Sequence, residues 1–238
     1  DLLFTPDHIS GENLRKEGAD ESRIRFVGNI MIDTLEANRN KAEKLDLGGI
    51  IEKNLLHKRP FKIPKENNFT VVTLHRPSNV DHKEIFTKIT NFLTKIVSKD
   101  MPVIWPIHPR ALKQLELFEL WDHLKESDRM IMLHPVGYHE MLRLNMGARL
   151  LLTDSGGLQE ECTVLGTPCL TLRWNTERPV TLREHGGASV LVGNDIEKLQ
   201  KEYHHTLTLK RNPVKPEKSE GHTAERIVKA LVDYGIEE

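Results

Sequence analysis

The segment Leu150-Leu-Leu-Thr-Asp-Ser-Gly-Gly-Leu-Gln-Glu-Glu161 combines residue types suited to holding an anion. An apolar run ends at Thr153-Asp154, small residues turn the chain at Ser155, Gly156 and Gly157, and a helical pattern follows. Glycine has no Cβ, so its backbone can come close to a ligand. The first turn of a helix carries N–H groups without intrahelical partners and a partial positive charge. Such a corner favours an anion, most often a phosphate group. These residues alone leave open an ordinary β-to-α turn. Glu161 lies about one turn into the helix. There it could accept hydrogen bonds from a ribose diol, or serve as a solvated acid favoured by the helix dipole.

Other chemistry-bearing residues follow apolar runs in the same way. His75 and Arg76 follow Phe69–Leu74, and His108 and Arg110 follow Pro102–Trp105. His134 follows Met130–Leu133, and Arg173 and Arg178 follow Cys169–Leu172. A single histidine after a strand is usually structural. Three in register, with arginines and a Gly-Gly helix start, favour a site. Arginine matches phosphate geometry, and histidine moves protons near neutrality. A diphosphate-bearing ligand therefore fits this edge. No acidic cluster has metal-ligand spacing, and neither a G-x-x-x-x-G-K-[ST] loop nor a G-x-G-x-x-G turn is present. No metal ion and no cofactor are expected.

The elements that must position these residues alternate. Strands are expected at Phe69–Leu74, Pro102–Trp105, Met130–Leu133, Arg149–Thr153, Cys169–Leu172 and Val190–Val192. Helices are expected from Asp81, with Glu84 as a capping box, to about Val97, and at Leu112–Leu120, Tyr138–Met146, Leu158–Leu165 and Ile196–Leu207. A final helix runs from about Thr223 to Tyr234. Alternating strands and helices imply an α/β fold with a Rossmann-like parallel sheet covered on both faces. Ligands then bind beyond the carboxyl ends of the strands, where the residues above gather. Towards the amino end, a short helix is expected between an N-cap at Ser10 and a stop at Gly18, then a strand at Ile24–Gly28 and a helix from Ile30 to about Lys44.

The chain has 238 residues, room for one large domain or one domain plus part of another. Its 34 Lys and Arg nearly balance 35 Asp and Glu, which argues against a nucleic-acid surface or a polybasic membrane contact. The two cysteines, Cys162 and Cys169, form no disulfide framework or zinc pattern, and are expected to pack as small apolar residues. No apolar stretch is long enough to span a bilayer and no signal peptide opens the chain, so a cytoplasmic location is expected. Asp1–Pro6 reads as a strand already in progress. The expected organisation is 1–44 as the tail of an amino-terminal Rossmann-like domain with a crossing helix, 45–67 as a connection, 68–216 as a nucleotide-binding domain, and 217–238 as a closing helix.

Taken together, Val71-Val-Thr-Leu-His-Arg-Pro77, Pro106-Ile-His-Pro109, Thr153-Asp-Ser-Gly-Gly-Leu-Gln-Glu-Glu161 and Thr176-Glu-Arg-Pro179 resemble, in order, the motifs of the non-hydrolysing UDP-N-acetylglucosamine 2-epimerases. The similarity runs from Phe4-Thr-Pro6 to the last helix. It implies the second half of a two-domain, glycosyltransferase-type (GT-B-like) fold. It implies UDP-GlcNAc and UDP-ManNAc as ligands, interconverted by elimination of UDP and its re-addition. It further implies that Ser155, Gly156 and Gly157 hold the diphosphate, Glu161 the ribose, and Arg76, Arg173 and Arg178 further positive charge. His75 matches the catalytic histidine, and His108 a histidine near a second, regulatory site in some bacterial members. The catalytic carboxylates would lie in the other domain, leaving this half inactive alone. A homodimer supplying cell-surface polysaccharide precursors is the family expectation. Two positions depart from the pattern: Ser78 replaces an acid of H-R-R-E-[NS], and Met141 replaces an aromatic or bulky apolar group near the uracil. A glycosyltransferase of the same architecture and a non-catalytic nucleotide-sugar-binding module are the alternatives.

Overall fold

The computed structural model describes residues 1–57 and 60–236, so residues 58–59 of the expected connection and 237–238 of the closing helix lie outside it. The chain forms two units, 41–213 and a smaller one built from 1–40 with 214–238.

In the smaller unit, β1 (Leu3–Thr5) and β2 (Ile24–Phe26) pair in parallel. The helix between them, His8–Lys16, starts earlier than expected: the cap is Asp7, whose carboxylate accepts from the Ser10 N–H, rather than Ser10 itself. The carboxylate of Asp33, buried on helix Ile30–Glu43, accepts from the Gly221 and Thr223 amides at 3.0 and 2.8 Å. It thereby caps helix Thr223–Ile236 and ties two distant parts of the chain together. The expected boundaries do not follow this division, because the closing helix shares a unit with residues 1–40.

In the larger unit, strands β3 (Thr70–Thr73), β4 (Val103–Pro106), β5 (Met130–Leu133), β6 (Leu150–Thr153), β7 (Cys169–Thr171) and β8 (Ser189–Leu191) form one sheet. Every pairing is parallel, in the order β5-β4-β3-β6-β7-β8. The α/β class and Rossmann-like arrangement follow from this order, which grows outward in both directions from β3 and β6. Side chains alternate between two buried clusters. Val72, Val103, Trp105, Met130, Met132 and Leu152 face one side, and Val71, Ile104, Ile131, Leu133, Leu151 and Cys169 the other. Burial on both faces explains the continuous apolar runs. Cys162 and Cys169 are buried among them.

Three local expectations are corrected. The segment 45–67 is not a bare connection: helix Leu47–Asn54, capped by Asp46, buries Leu47, Ile50 and Ile51 against the sheet. The Asp81–Glu84 capping box does not form. Helix Lys83–Phe92 begins behind His82 without a side-chain cap, continues through a wider turn at Leu93–Val97, and ends in Ser98–Asp100. Asp81 instead receives the Arg110 guanidinium, with Nε at 2.9 Å, which holds its carboxyl below the ordinary value. The helix expected at Leu112–Leu120 is Pro109–Leu117, followed by Trp121–Lys125. Among the described residues, no helix is long and apolar enough to cross a membrane.

Candidate functional site

β3 and β6 are neighbours whose following segments diverge, the switch point at which open parallel sheets bind ligands. His75 and Arg76 leave β3 there, and Asp154 and Ser155 leave β6. Asp154, fully buried, joins the two segments. Its carboxylate accepts from the His75 backbone N–H at 3.0 Å, the Arg76 backbone N–H at 2.9 Å and the Asn79 amide at 3.1 Å. Its Oδ1 lies 2.8 Å from His75 Nδ1. Burial alone would raise this acid, but the hydrogen bonds from the His75 ring and the Arg76 backbone outweigh it and hold Asp154 below the ordinary carboxylate value. An ionised carboxylate can only accept, so Nδ1 of His75 carries a proton and Nε2 is the nitrogen left for chemistry. The imidazole is 41% exposed, which keeps that nitrogen within reach of a ligand.

Helix Gly156–Leu165 starts behind Ser155, whose side chain makes no capping hydrogen bond and whose own N–H goes to Thr153 Oγ1 at 3.0 Å. The helix start thus lacks the side-chain acceptor that usually covers its first amides. At 156 the lack of a Cβ matters through close approach rather than through unusual backbone angles. A Cβ there would overlap Arg178 Nη1 and fall 2.7 Å from Glu177 Oε1. Arg178 also pairs with Glu160, Nε to Oε1 at 3.1 Å, and Arg173 pairs with Glu177 at 2.5 Å. Arg178 thus lies over the glycine corner, and Arg173 is joined to it through Glu177. Arg76 is beside the same corner, where its Nε donates to the Asp154 carbonyl at 2.9 Å.

Glu161 is not a solvated acid. Only 8% exposed, it has an Oε2 without a hydrogen-bond partner among the described residues, and burial pushes its carboxyl up to about 7. A buried acceptor of this kind suits the two donors of a diol. Tyr138 lies close enough that burial, followed by the Glu161 charge, pushes its hydroxyl up to about 12. Its part-exposed ring supplies an aromatic near Glu161, whereas Met141 packs against the core. His108 is exposed. Its Nδ1 accepts from the Arg110 N–H at 3.1 Å, capping its own helix, and its ring lies 5.4 Å from that of His75.

Asp154, Asn79, Glu160, Glu177 and Tyr138 were not singled out from the sequence. Asp154 had the clearest signal: an acid directly after one strand, next to a strand that ends in His.

The fold and this edge define a parallel α/β unit of Rossmann strand order. Residues 1–232 match the family model for UDP-N-acetylglucosamine 2-epimerase. The chain is 41% identical over 236 residues to the UDP-N-acetylglucosamine 2-epimerase of Methanocaldococcus jannaschii, covering 98% of this chain and 61% of that one. It is 38% identical over 200 residues to the enzyme of the same name from Methanococcus maripaludis, covering 84% and 52%. A crystal structure of the M. jannaschii enzyme in complex with UDP-GlcNAc and UDP superposes with a TM-score of 0.83 at 40% identity, over 97% of this chain and 60% of that one. The chain belongs to the UDP-N-acetylglucosamine 2-epimerase family, with the GT-B-like fold of its structural relatives. It spans about 52–61% of the length of these relatives.

Proposed function

We propose that this chain is the UDP-binding part of an isomerase that interconverts UDP-GlcNAc and UDP-ManNAc. The observation that carries the reading is the pairing, across one switch point, of an uncapped glycine helix start with a His75 ring fixed by Asp154. The C2 proton of the sugar is not acidic, so direct inversion is difficult. Elimination avoids this: a base removes the C2 proton while UDP leaves C1, giving a 2-acetamidoglucal. UDP then adds back as a proton reaches the opposite face.

The chain's residues would serve the departing diphosphate. The Ser155 hydroxyl and the amides of Gly156 and Gly157 stabilise developing phosphate charge, with Arg173, Arg178 and Arg76 adding positive potential. His75, with Nδ1 committed to Asp154, offers Nε2 to protonate the leaving oxygen or assist proton transfer. Glu161 takes the ribose, and Tyr138 flanks the base. The carboxylate base is assigned outside these 238 residues, so the chain alone binds UDP without turnover. His108, one ring contact from His75, is the proposed link to a second nucleotide-sugar site. A homodimer in the cytoplasm, serving polysaccharide precursors, completes the proposal.

The test is to incubate the full-length protein with UDP-GlcNAc in deuterated water without any acceptor. UDP-ManNAc carrying deuterium at C2 is expected. Epimerisation with the C2 hydrogen retained would rule out elimination, and turnover only with an acceptor sugar would indicate a transferase.

The corner also predicts the behaviour of Gly156→Ala. The added methyl meets the ends of flexible side chains, so stability should change by less than about 1 kcal/mol. UDP affinity should fall at least about tenfold, because Arg178 is displaced where phosphate must approach. Calorimetric titration beside a thermal melt checks both; undiminished affinity would show that the diphosphate binds elsewhere.

A further inference from the structure

The acid of the Thr176-Glu-Arg-Pro179 segment has no role in the mechanism above, yet it sits over the glycine corner. One carboxylate spans two guanidiniums: Glu177 Oε2 accepts from Arg173 Nη2, and Oε1 from Arg178 Nη1, each at 2.5 Å. Oε1 lies 2.7 Å from where a Cβ on Gly156 would be, so this anion rests against the first residue of the helix. A phosphate group bound by two arginines at a helix start would need the same contacts.

We propose that Glu177 is an internal surrogate for the diphosphate, holding Arg173 and Arg178 until phosphate oxygens displace it. The inference rests on the reading that the diphosphate binds at Ser155, Gly156 and Gly157. Three features suit an exchangeable acid. The Glu177 side chain is 51% exposed and has a path into solvent, whereas that of Arg173 is 9% exposed and stays in place. Among the described residues Arg173 Nη1 has no hydrogen-bond partner, and it can add a donor to an incoming phosphate. Arg178 keeps its Nε contact with Glu160 after Glu177 departs, so its guanidinium remains anchored. Two cations, Arg173 and Arg178, face two carboxylates, Glu177 and Glu160, so release of Glu177 leaves net positive charge for a phosphate.

The test compares Glu177→Gln and Glu177→Ala with the parent in the full-length protein, using UDP, inorganic pyrophosphate and uridine as separate titrants. Removing the competing charge should tighten UDP and pyrophosphate about tenfold in both variants and leave uridine unchanged, a split that a general structural role would not produce. Weaker or unchanged UDP binding in both variants overturns the proposal, because Glu177 would then be organising the arginines or be incidental. Arg178→Ala separates this from failure of the underlying reading. If that variant binds UDP as the parent does, the diphosphate is not at this corner. If it loses affinity while Glu177→Gln gains none, the corner stands and only the surrogate role falls.

Discussion

Asp154→Asn is expected to reduce epimerisation by a factor on the order of 10²–10⁴ while leaving UDP affinity within about threefold of the parent. The buried carboxylate fixes the protonated nitrogen of His75 and stabilises the ring when it becomes cationic. Asparagine keeps the shape but removes the charge, and its amide must present a donor to some of the groups that now donate to it. Asp154→Ala goes further. It leaves the Asn79 amide and the backbone N–H groups of His75 and Arg76 short of an acceptor, which should cost about 3 kcal/mol or more in stability. Turnover and UDP titration on the asparagine variant, with a pH–rate profile, separate positioning from folding. A positioning role shifts or flattens the limb belonging to His75; an asparagine variant with parental turnover would remove Asp154 from the mechanism.

Glu161→Gln is expected to make the protein more stable at alkaline pH and worse at binding UDP. Glu161 titrates at about 7 in the folded protein against an ordinary 4.5. Between those values the folded chain keeps a proton that the unfolded chain has lost, so this residue lowers stability as pH rises through the window. At about 1.4 kcal/mol per pH unit, the full effect above pH 7 is on the order of 3 kcal/mol, and it vanishes below pH 4. Glutamine removes that penalty. Thermal melts of both proteins should therefore separate at pH 8 and coincide near pH 4. Binding runs the other way, because the ionised acid offers a charged acceptor oxygen to each diol hydroxyl, whereas glutamine replaces one of them with an NH2 that can only donate. UDP affinity of the variant should be lower by about 10–100-fold at pH 8, with the gap narrowing below pH 7. Comparing parent with variant cancels the titration of UDP itself. Equal affinity at pH 8 would remove Glu161 from the ribose site.

These two residues also mark how far the sequence could be read. Strand positions were legible because burial on both faces leaves unbroken apolar runs, such as Met130–Leu133. Parallel order followed from helices of sufficient length between them. The glycine corner was legible because Ser155-Gly156-Gly157 after a strand is a local pattern. Helix starts were less so. Asp81 has the spacing of a cap yet serves Arg110, a partner distant in sequence and invisible to local rules. Helix Leu47–Asn54 was hidden by Gly48-Gly49, which read as breakers until the apolar Leu47, Ile50 and Ile51 found a sheet to cover. Within the site, His75 and Arg178 stood out by type and Asp154 by its place directly after a strand, whereas Glu177 gains meaning only from partners brought in by the fold. The burial of Glu161 was equally beyond sequence, since a polar residue near a helix start reads as solvated.

The central claim is that the diphosphate sits at the start of helix Gly156–Leu165, with the His75 ring facing the sugar side. A crystal structure of the full-length protein with UDP tests it most directly. The expected density places phosphate oxygens within hydrogen-bond distance of the Ser155 hydroxyl, the Gly156 and Gly157 amides and the Arg178 guanidinium, with the ribose on Glu161. UDP well ordered elsewhere, with that helix start and Glu161 contacting no nucleotide, would contradict it.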